Sequence, residues 1–210
     1  MLRTFFFAVV VRPLCHVVLG FNVRRREALP QSGPAIVVAN HNSHLDALAL
    51  MALFPLRNLS QLRPVAAQDY FFRNRFLKWF ALNIIGIIPI ERTRQTTRRD
   101  ALEPIEAALD RGDIVILFPE GSRGEPERMT RFKTGIVHLA MRFPAVPIIP
   151  VFTHGLGKAL PRGEALLVPF FCDVFVGEPH FWNGDRHEFM DRLNERMISL
   201  AREGEFPPWE

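Results

Sequence analysis

The chain has 210 residues, of which 48% are apolar, and it carries a formal net charge of +4. This length suits one domain, and the apolar fraction is too high for an intrinsically disordered chain. Its two cysteines provide neither a disulfide framework nor a metal-binding spacing, so we expect a reducing, cytoplasmic setting. The 19 phenylalanines beside a single tyrosine fit either a Phe-rich core or contact with an apolar ligand or membrane.

The N-terminal residues predict a helix that lies at a membrane interface. An apolar run over residues 5–21 is interrupted by Arg12, Pro13 and His16. Because a membrane-spanning helix needs about 20 mainly apolar residues, we expect this run to lie on the bilayer, with Arg24–Arg26 at the headgroups. A buried core helix is the alternative. We therefore divide the chain into an interfacial helical segment, residues 1–26, and a main domain, residues 27–210.

Positive charge is concentrated between Phe54 and Arg99. This stretch contains nine basic residues but only two acidic ones, Asp69 and Glu91. Such an excess suits an anionic partner such as lipid headgroups, a phosphorylated substrate, an acidic carrier protein or nucleic acid. No nucleic-acid-binding motif accompanies the stretch, so we expect no nucleic-acid partner. The basic residues are Arg57, Arg63, Arg73, Arg75, Lys78, Arg92, Arg94, Arg98 and Arg99.

Short apolar runs typical of buried strands alternate with patterns typical of helices. The alternation predicts a single α/β domain with a largely parallel central sheet flanked by helices. We predict strands at residues 35–39, 63–67, 86–90, 113–118 and 146–151, and a pair of strands within 165–176. We predict helices at residues 44–53, 69–81, 96–109, 132–142 and 185–202. In such sheets, ligands bind at the carboxyl ends of the strands.

The segment Asn40-His41-Asn42-Ser43-His44-Leu45-Asp46 follows the first of these strands. His41 and Asp46 flank a strand-to-helix turn, where one ring nitrogen of the histidine can contact the carboxylate. Such a contact fixes the tautomer of the imidazole and makes the other nitrogen a good general base. Two alternatives remain open. Asp46 caps the helix together with Ser43, or His41, His44 and Asp46 bind a metal ion.

A second polar segment, Pro119-Glu120-Gly121-Ser122-Arg123-Gly124, follows the strand at residues 113–118. Glycines at a strand end let backbone N–H groups approach an anion, and a guanidinium can bind phosphate through two hydrogen bonds. The spacing fits neither a Gly-x-Ser-x-Gly nucleophile elbow nor a nucleotide-binding P-loop. Arg92 lies just past another strand end, so we expect His41, Arg92 and Arg123 to converge on one cleft. Alternatively, Arg92 is an ordinary surface arginine.

Four segments in order resemble the motifs of the glycerolipid acyltransferase family, which contains the 1-acylglycerol-3-phosphate acyltransferases. The first matches the NHxSxxD motif fully, and FPEGSRG resembles the family's FPEGTRS. GIIPIER and VPIIPV resemble the second and fourth motifs. The segments are Asn40–Asp46, Gly86–Arg92, Phe118–Gly124 and Val146–Val151. Three residues depart from the family pattern, namely Glu91 for Asp, Ser122 for Thr and Gly124 for Ser.

The resemblance implies an O-acyltransferase of phospholipid biosynthesis that needs no metal or redox cofactor. His41, oriented by Asp46, would deprotonate an acceptor hydroxyl that attacks a thioester directly, with no covalent enzyme intermediate. The implied donor is acyl-CoA or an acyl carrier protein thioester, and the implied acceptor is a lysophospholipid such as 1-acylglycerol-3-phosphate. The implied substrate-binding residues are Arg92, Glu120, Gly121, Ser122, Arg123 and Lys133.

The implied location is the cytoplasmic face of the cell membrane, on an anionic surface, with the protein peripheral or shallowly inserted. Two other functions stay open. One is an acyltransferase or transacylase with another lipid acceptor, such as an aminolipid. The other is a peripheral lipid-binding protein without turnover, although binding alone does not require the pairing of His41 with Asp46.

Overall fold

Seven strands form one central sheet in the computed structural model, which describes residues 1–91, 97–122, 129–160 and 168–206. The strands are β1 (Asn22–Arg24), β2 (Ala35–Ala39), β3 (Leu62–Ala67), β4 (Ile88–Ile90), β5 (Ile114–Leu117), β6 (Ile148–His154) and β7 (Asp173–Val176). Their order in the sheet is β1-β7-β6-β2-β5-β3-β4. The strands from β6 to β4 run parallel, whereas β7 is antiparallel to β6, and β1 is parallel to β7. The predicted α/β domain with a largely parallel sheet is confirmed.

Helices cover both faces of the sheet. The α-helices are α1 (Leu2–Phe6), α2 (Asp46–Ala52), α3 (Gln68–Phe71), α4 (Arg75–Phe80), α5 (Arg98–Asp110), α6 (Gly135–Arg142), α7 (Leu156–Ala159) and α8 (Arg186–Arg202). Short 3-10 turns occupy Arg26–Ala28 and Leu56–Gln61, and π-helical segments occupy Phe7–Val11, Leu14–Val18 and Ala81–Ile85.

Strand β2 lies at the centre of the sheet and is buried along its whole length. Its side chains alternate between two apolar layers. Ala35, Val37 and Ala39 pack with the N-terminal helix and α2. Ile36 and Val38 pack with α5, α6 and α8. Burial on both faces is why this parallel strand is an unbroken apolar run.

The N-terminal helical segment, residues 2–18, consists of α1 and the two π-helical segments that follow it. One side chain in every four is buried in the core, and the buried residues are Phe7, Val11, Cys15 and Leu19. In a straight α-helix, residues four apart drift by about 40° around the axis. The wider π-helical turns, with i→i+5 bonds such as Leu19 N–H to the Leu14 carbonyl oxygen at 2.9 Å, keep the four-residue stripe on one face.

A second stripe with the same spacing, offset by two residues, is exposed to solvent. Its apolar members are Phe5, Val9 and Val17, whose exposed fractions are 63%, 54% and 81%. The segment is therefore both a core helix on one face and an apolar surface on the other. Within the described ranges, no helix is long and apolar enough to cross a membrane.

The three arginines that follow this segment contact protein groups. Arg25 forms an ion pair with Glu203 at 2.8 Å, and Arg26 Nε donates a hydrogen bond to the Leu53 carbonyl oxygen at 2.8 Å. The guanidinium of Arg24 lies 4.9 Å from the centroid of a phenylalanine ring in β7. The exposed apolar stripe, rather than these arginines, therefore carries our hypothesis of membrane contact.

Most predicted elements are confirmed, with their ends shifted by a few residues, but one prediction is wrong. The helix predicted at residues 69–81 is split into α3 and α4. Asn74 begins α4 as its N-cap, with Oδ1 accepting the Phe76 N–H at 2.7 Å. Of the strand pair predicted within residues 165–176, the described residues 168–176 contain one strand, β7. Residues 165–167 lie outside the described residues, so the second strand stays a prediction.

Strand β1 was not predicted from the sequence. It lies inside the segment assigned to residues 1–26 and joins the sheet by pairing with β7. Three residues of alternating polarity, Asn22, Val23 and Arg24, give no strand signal by themselves. The division of the chain at residue 26 stays a prediction.

Candidate active site

The two polar segments singled out in the sequence meet at the carboxyl edge of the sheet. They follow β2 and β5, which are parallel neighbours, so their carboxyl ends lie side by side. The ring of His41, after β2, stacks on the ring of Phe118, after β5, with centroids 4.3 Å apart and planes inclined by 23°. The two segments therefore lie in contact at this edge of the sheet.

His41 and Asp46 form a hydrogen-bonded pair. His41 Nδ1 lies 2.8 Å from Asp46 Oδ2, and the aspartate is fully buried whereas 23% of the histidine side chain is exposed. Asp46 is the first residue of α2, where the helix dipole favours a carboxylate. Because the carboxylate accepts the proton on Nδ1, the nitrogen left to take a proton from another molecule is Nε2.

The carboxylate of Asp46 also organises the turn that carries the histidine. Its Oδ2 accepts the backbone N–H groups of Asn42 at 2.7 Å and Ser43 at 2.9 Å. The hydroxyl of Ser43 faces elsewhere, accepting the Leu45 N–H at 3.2 Å and donating to the Leu160 carbonyl oxygen at 3.1 Å. One oxygen atom thus both stabilises the turn and orients His41. The capping alternative therefore does not exclude the catalytic one.

Asn40 fastens the start of this turn to the neighbouring strand β6. Its Nδ2 donates to the Thr153 carbonyl oxygen at 2.8 Å, and its Oδ1 accepts the Thr153 N–H at 2.8 Å and hydroxyl at 3.2 Å. Both residues are buried. The side-chain amide thus continues the pairing of β2 with β6 beyond the last residue of β2.

Replacing Asn40 by Ala is expected to lower the free energy of unfolding by about 2–4 kcal/mol, because two buried backbone groups of Thr153 lose their partner. Urea unfolding monitored by circular dichroism measures the change. Asn22→Ala is the matched control, since Asn22 Nδ2 donates to Asp173 Oδ1 at 2.7 Å on the surface, and we expect it to cost less than about 1 kcal/mol. Equal losses in the two variants would contradict this role for Asn40.

Glu120 supports the backbone of His41. Its Oε1 accepts the His41 N–H at 2.9 Å, and its Oε2 accepts the N–H of Thr130 at 3.2 Å and its hydroxyl at 2.7 Å. The residue is only 3% exposed. Both carboxylate oxygens therefore have protein donors, and the implied contact of Glu120 with substrate stays a prediction.

Gly121 and Lys133 lie together beside Glu120. Gly121 has a φ of +78°, a conformation that favours glycine, and a Cβ there would collide with the Lys133 ammonium. The Lys133 N–H also donates to the Pro119 carbonyl oxygen at 2.9 Å, which fixes its backbone against this segment. Ser122 follows and is exposed. Arg92 and Arg123 fall outside the described residues, so their convergence with His41 stays a prediction.

The metal-binding alternative gains no support from the part of the chain that the structure describes. No group of three or more His, Cys, Asp or Glu residues there is arranged to hold a metal ion. His44 lies beside Tyr70, with ring centroids 5.4 Å apart.

Several residues of this site were not found by sequence reasoning. Asn40 and Phe118 lie inside the motifs but had no assigned role, and Thr130 and Thr153 were not singled out at all. The partners of Asn40 and Glu120 belong to distant segments, so only the order of strands in the sheet reveals them.

Comparison with known proteins gives one family. The acyltransferase family model matches residues 20–154. The human 1-acyl-sn-glycerol-3-phosphate acyltransferase alpha is 30% identical over 186 residues, which cover 86% of this chain and 63% of that protein. The chloroplastic 1-acyl-sn-glycerol-3-phosphate acyltransferase LPAT1 of Arabidopsis thaliana is 30% identical over 160 residues, or 75% of this chain and 43% of that protein. The chain thus spans less than two thirds of either relative.

A solved structure has the same fold. The crystal structure of the 1-acyl-sn-glycerophosphate acyltransferase PlsC from Thermotoga maritima superimposes with a TM-score of 0.77, covering 99% of this chain and 83% of that one. At 19% identity, this likeness concerns the fold alone. The family model spans more than half of the 210 residues and includes both His41 and Asp46, so the chain belongs to the acyltransferase family.

Proposed function

We propose that this protein is an O-acyltransferase of phospholipid biosynthesis, which moves a fatty acyl group from a thioester to a hydroxyl of a lysophospholipid. The observation that carries the proposal is the 2.8 Å contact between buried Asp46 and the ring of His41 at the carboxyl edge of the sheet. The relatives are named 1-acyl-sn-glycerol-3-phosphate acyltransferases, which favours 1-acylglycerol-3-phosphate as acceptor.

Acyl transfer needs a base, and we assign that role to His41. Nε2 of His41 takes the proton of the acceptor hydroxyl while that oxygen attacks the thioester carbonyl carbon. The tetrahedral intermediate then collapses, the carbon–sulfur bond breaks, and the departing sulfur receives the proton from His41. Asp46 stabilises the imidazolium that exists between these two steps. The donor is acyl-CoA or an acyl thioester of acyl carrier protein. Because the thioester bond activates the acyl group, the reaction requires no cofactor.

Incubation of the purified protein with labelled acyl-CoA or labelled acyl carrier protein, and a panel of lysophospholipids, tests this function. Mass spectrometry identifies the product. We expect diacylglycerol-3-phosphate as the product from 1-acylglycerol-3-phosphate. Comparison of the two donors shows which thioester the protein uses. If only an aminolipid yields a product, the reaction is the same but the acceptor is different. Binding of lipid without any product would favour the lipid-binding alternative.

The acceptor's phosphate is assigned to Arg92, Arg123 and Lys133. Lys133 supports this assignment because its ammonium lies over Gly121, the residue after Glu120, whose carboxylate contacts the His41 backbone. The roles of Arg92 and Arg123 rest on their motifs, as do those of Glu120, Gly121 and Ser122 in substrate binding.

Arg123→Ala and Arg92→Ala are each expected to reduce kcat/KM for the acceptor by at least about tenfold, because a charge-assisted hydrogen bond to phosphate is lost. The KM for the donor should change far less. Arg123→Lys should also be impaired, since an ammonium cannot replace a two-pronged guanidinium. Steady-state kinetics with each substrate varied in turn measure the effects. Normal acceptor kinetics in both alanine variants would place the phosphate site elsewhere.

The proposed location is the cytoplasmic face of the cell membrane. Helices α1 and α4 are neighbours, since the rings of Phe6 in α1 and Phe80 in α4 are 5.3 Å apart. Both helices expose apolar side chains. Phe5 on the first helix is 63% exposed, and Phe76 on the second is 70% exposed. Together with the basic residues of α4 they form a surface suited to an anionic lipid interface.

Replacing Phe5, Val9 and Val17 together by Ser is expected to weaken binding to anionic vesicles by at least about tenfold, since each side chain contributes through burial in lipid. The three side chains are exposed, so the fold should persist, whereas deleting the segment would uncover the core.

Co-sedimentation measures binding, and Met141→Ser with Ile198→Ser is the matched control on other exposed positions. High salt should weaken but not abolish binding by the parent protein. Absence of that protein from the vesicle pellet at low salt would refute the membrane proposal.

A further inference from the structure

A solvent-open cavity of about 470 Å³ lies at the opposite end of the sheet from His41. Its lining includes Arg3, Arg57, Ser60 and Arg63. Arg63 is in the first half of β3, and the cavity follows the 3-10 turn that leads into that strand. Because His41 lies past the carboxyl end of β2, a strand length of roughly 15 Å separates this cavity from the catalytic pair. The cavity is therefore not part of the proposed acyl-transfer site.

Positive charge around this cavity exceeds negative charge. Arg63 Nε and Arg111 Nη2 both face the same oxygen of Asp113, Oδ2, at 3.5 Å and 3.1 Å. That carboxylate also exerts an attractive influence on Arg3. Arg57 forms no ion pair within the described ranges, and it is exposed. One carboxylate thus attracts three arginines, and among the described residues Arg57 has no carboxylate partner.

Two guanidinium nitrogens of this cluster are buried without a hydrogen bond among the described residues, although one of them, Arg63 Nε, lies 3.5 Å from Asp113 Oδ2 in an ion pair. Arg3 Nη2 donates to the carbonyl oxygens of Leu62 at 2.9 Å and Ile85 at 2.8 Å, which holds the side chain in place. Among the described residues, however, Arg3 Nε and Arg63 Nε have no hydrogen-bond partner. Burial, and then the charge of Arg63, lowers the pKa of Arg3 to about 10. A bound anion would offset both of these effects on the charge of Arg3.

We propose that this cavity binds a phosphate-type oxyanion, held by the guanidinium groups of Arg3, Arg57 and Arg63. Guanidinium groups that approach from several directions suit a tetrahedral anion with several oxygens, and the hydroxyl of Ser60 is a further donor on the same wall. The basic stretch recognised in the sequence contains two of these arginines, Arg57 and Arg63, which the catalytic site does not use.

The phosphate comes either from the headgroup of an anionic phospholipid or from free phosphate. The lipid source is favoured because Arg3 lies in α1 between two exposed apolar residues, Leu2 and Phe5, with exposed fractions of 56% and 63%. A lipid whose tails contact these side chains would bring its phosphate to the cavity mouth. Occupancy of this site can be measured without any acyl donor. Failure of this proposal can therefore be distinguished from failure of the proposed acyl transfer.

Calorimetric titration of the full chain with inorganic phosphate tests the site itself. Arg57→Ala removes an exposed donor that supports no other described group, and Arg142→Ala removes an equally exposed arginine from the end of α6 as the matched control. We expect Arg57→Ala to weaken phosphate binding at least about tenfold and Arg142→Ala to change it less than about twofold.

Vesicle co-sedimentation of the same variants distinguishes the two sources. On vesicles containing phosphatidylglycerol, Arg57→Ala should bind about fivefold more weakly than Arg142→Ala, whereas phosphatidylcholine vesicles should not separate the variants. A loss confined to inorganic phosphate would assign the cavity to free phosphate, and a loss confined to phosphatidylglycerol would assign it to lipid. If Arg57→Ala and Arg142→Ala behave alike with both ligands, the proposal is wrong.

Discussion

The His41→Ala variant is expected to lose acyl transfer by about 10²–10⁴-fold in kcat, the range that a general base contributes. The fold should persist, because the His41 side chain is partly exposed and its backbone N–H can still donate to Glu120. The free energy of unfolding should therefore change by less than about 1 kcal/mol. Steady-state assays with the acyl thioester and 1-acylglycerol-3-phosphate, together with urea unfolding, measure both quantities.

His187→Ala is the matched control for this variant, since His187 is exposed on α8, far along the chain from the site. It should retain the activity of the parent protein. Prolonged treatment of the parent protein with a chelator should also leave turnover unchanged. Full turnover by His41→Ala would refute the assignment of the base, and a loss that added metal restores would favour the metal-binding alternative.

Asp46→Asn is expected to reduce kcat/KM by about 10–10²-fold although it keeps the size of the side chain, because a hydrogen bond to a charged group contributes about 1.5–3 kcal/mol. The backbone N–H groups of Asn42 and Ser43 need an acceptor, so the amide oxygen should remain on them. The same oxygen position lies 2.8 Å from Nδ1 of His41, so the proton should stay on Nδ1, but the neutral amide no longer supplies the negative charge that stabilises the imidazolium. Without that charge, Nε2 of His41 is a weaker base for the proton of the acceptor hydroxyl.

The comparison of Asp46→Asn with Asp191→Asn, an exposed aspartate on α8, isolates the effect of position. The pH dependence of kcat/KM adds a readout that loss of stability alone would not produce, because the ascending limb should change when the histidine loses its carboxylate. Unaltered kcat/KM and an unaltered pH profile in folded Asp46→Asn would show that Asp46 only stabilises the turn.

The fold was predictable where local pattern and burial agree. Strand β2 is apolar at every position because helices cover both of its faces, and the same holds for most of β5. The helix that starts at Asp46 and the strand that precedes Asn40 gave the position of the catalytic pair. Their contact depends on residues five apart in the sequence, so a local argument was sufficient.

Other features depend on the order of the strands and could not be predicted. Asn40 and Thr153 are 113 residues apart, and they meet because β6 is inserted beside β2. The contacts of the Glu120 carboxylate with the His41 backbone and with Thr130 also join segments that are distant in the sequence. The four-residue repeat of the N-terminal helical segment was also hidden, because π-helical turns cannot be recognised from an apolar run.

The central claim is that the chain transfers an acyl group to a lipid hydroxyl, and the most direct test counts both products of one reaction. A labelled acyl thioester and 1-acylglycerol-3-phosphate are mixed with the purified protein, and released thiol and labelled diacyl lipid are measured over time. We predict one diacyl lipid for each thiol released, with both products lost in His41→Ala. Release of thiol together with free fatty acid, and no labelled lipid, would show a thioester hydrolase and contradict the account.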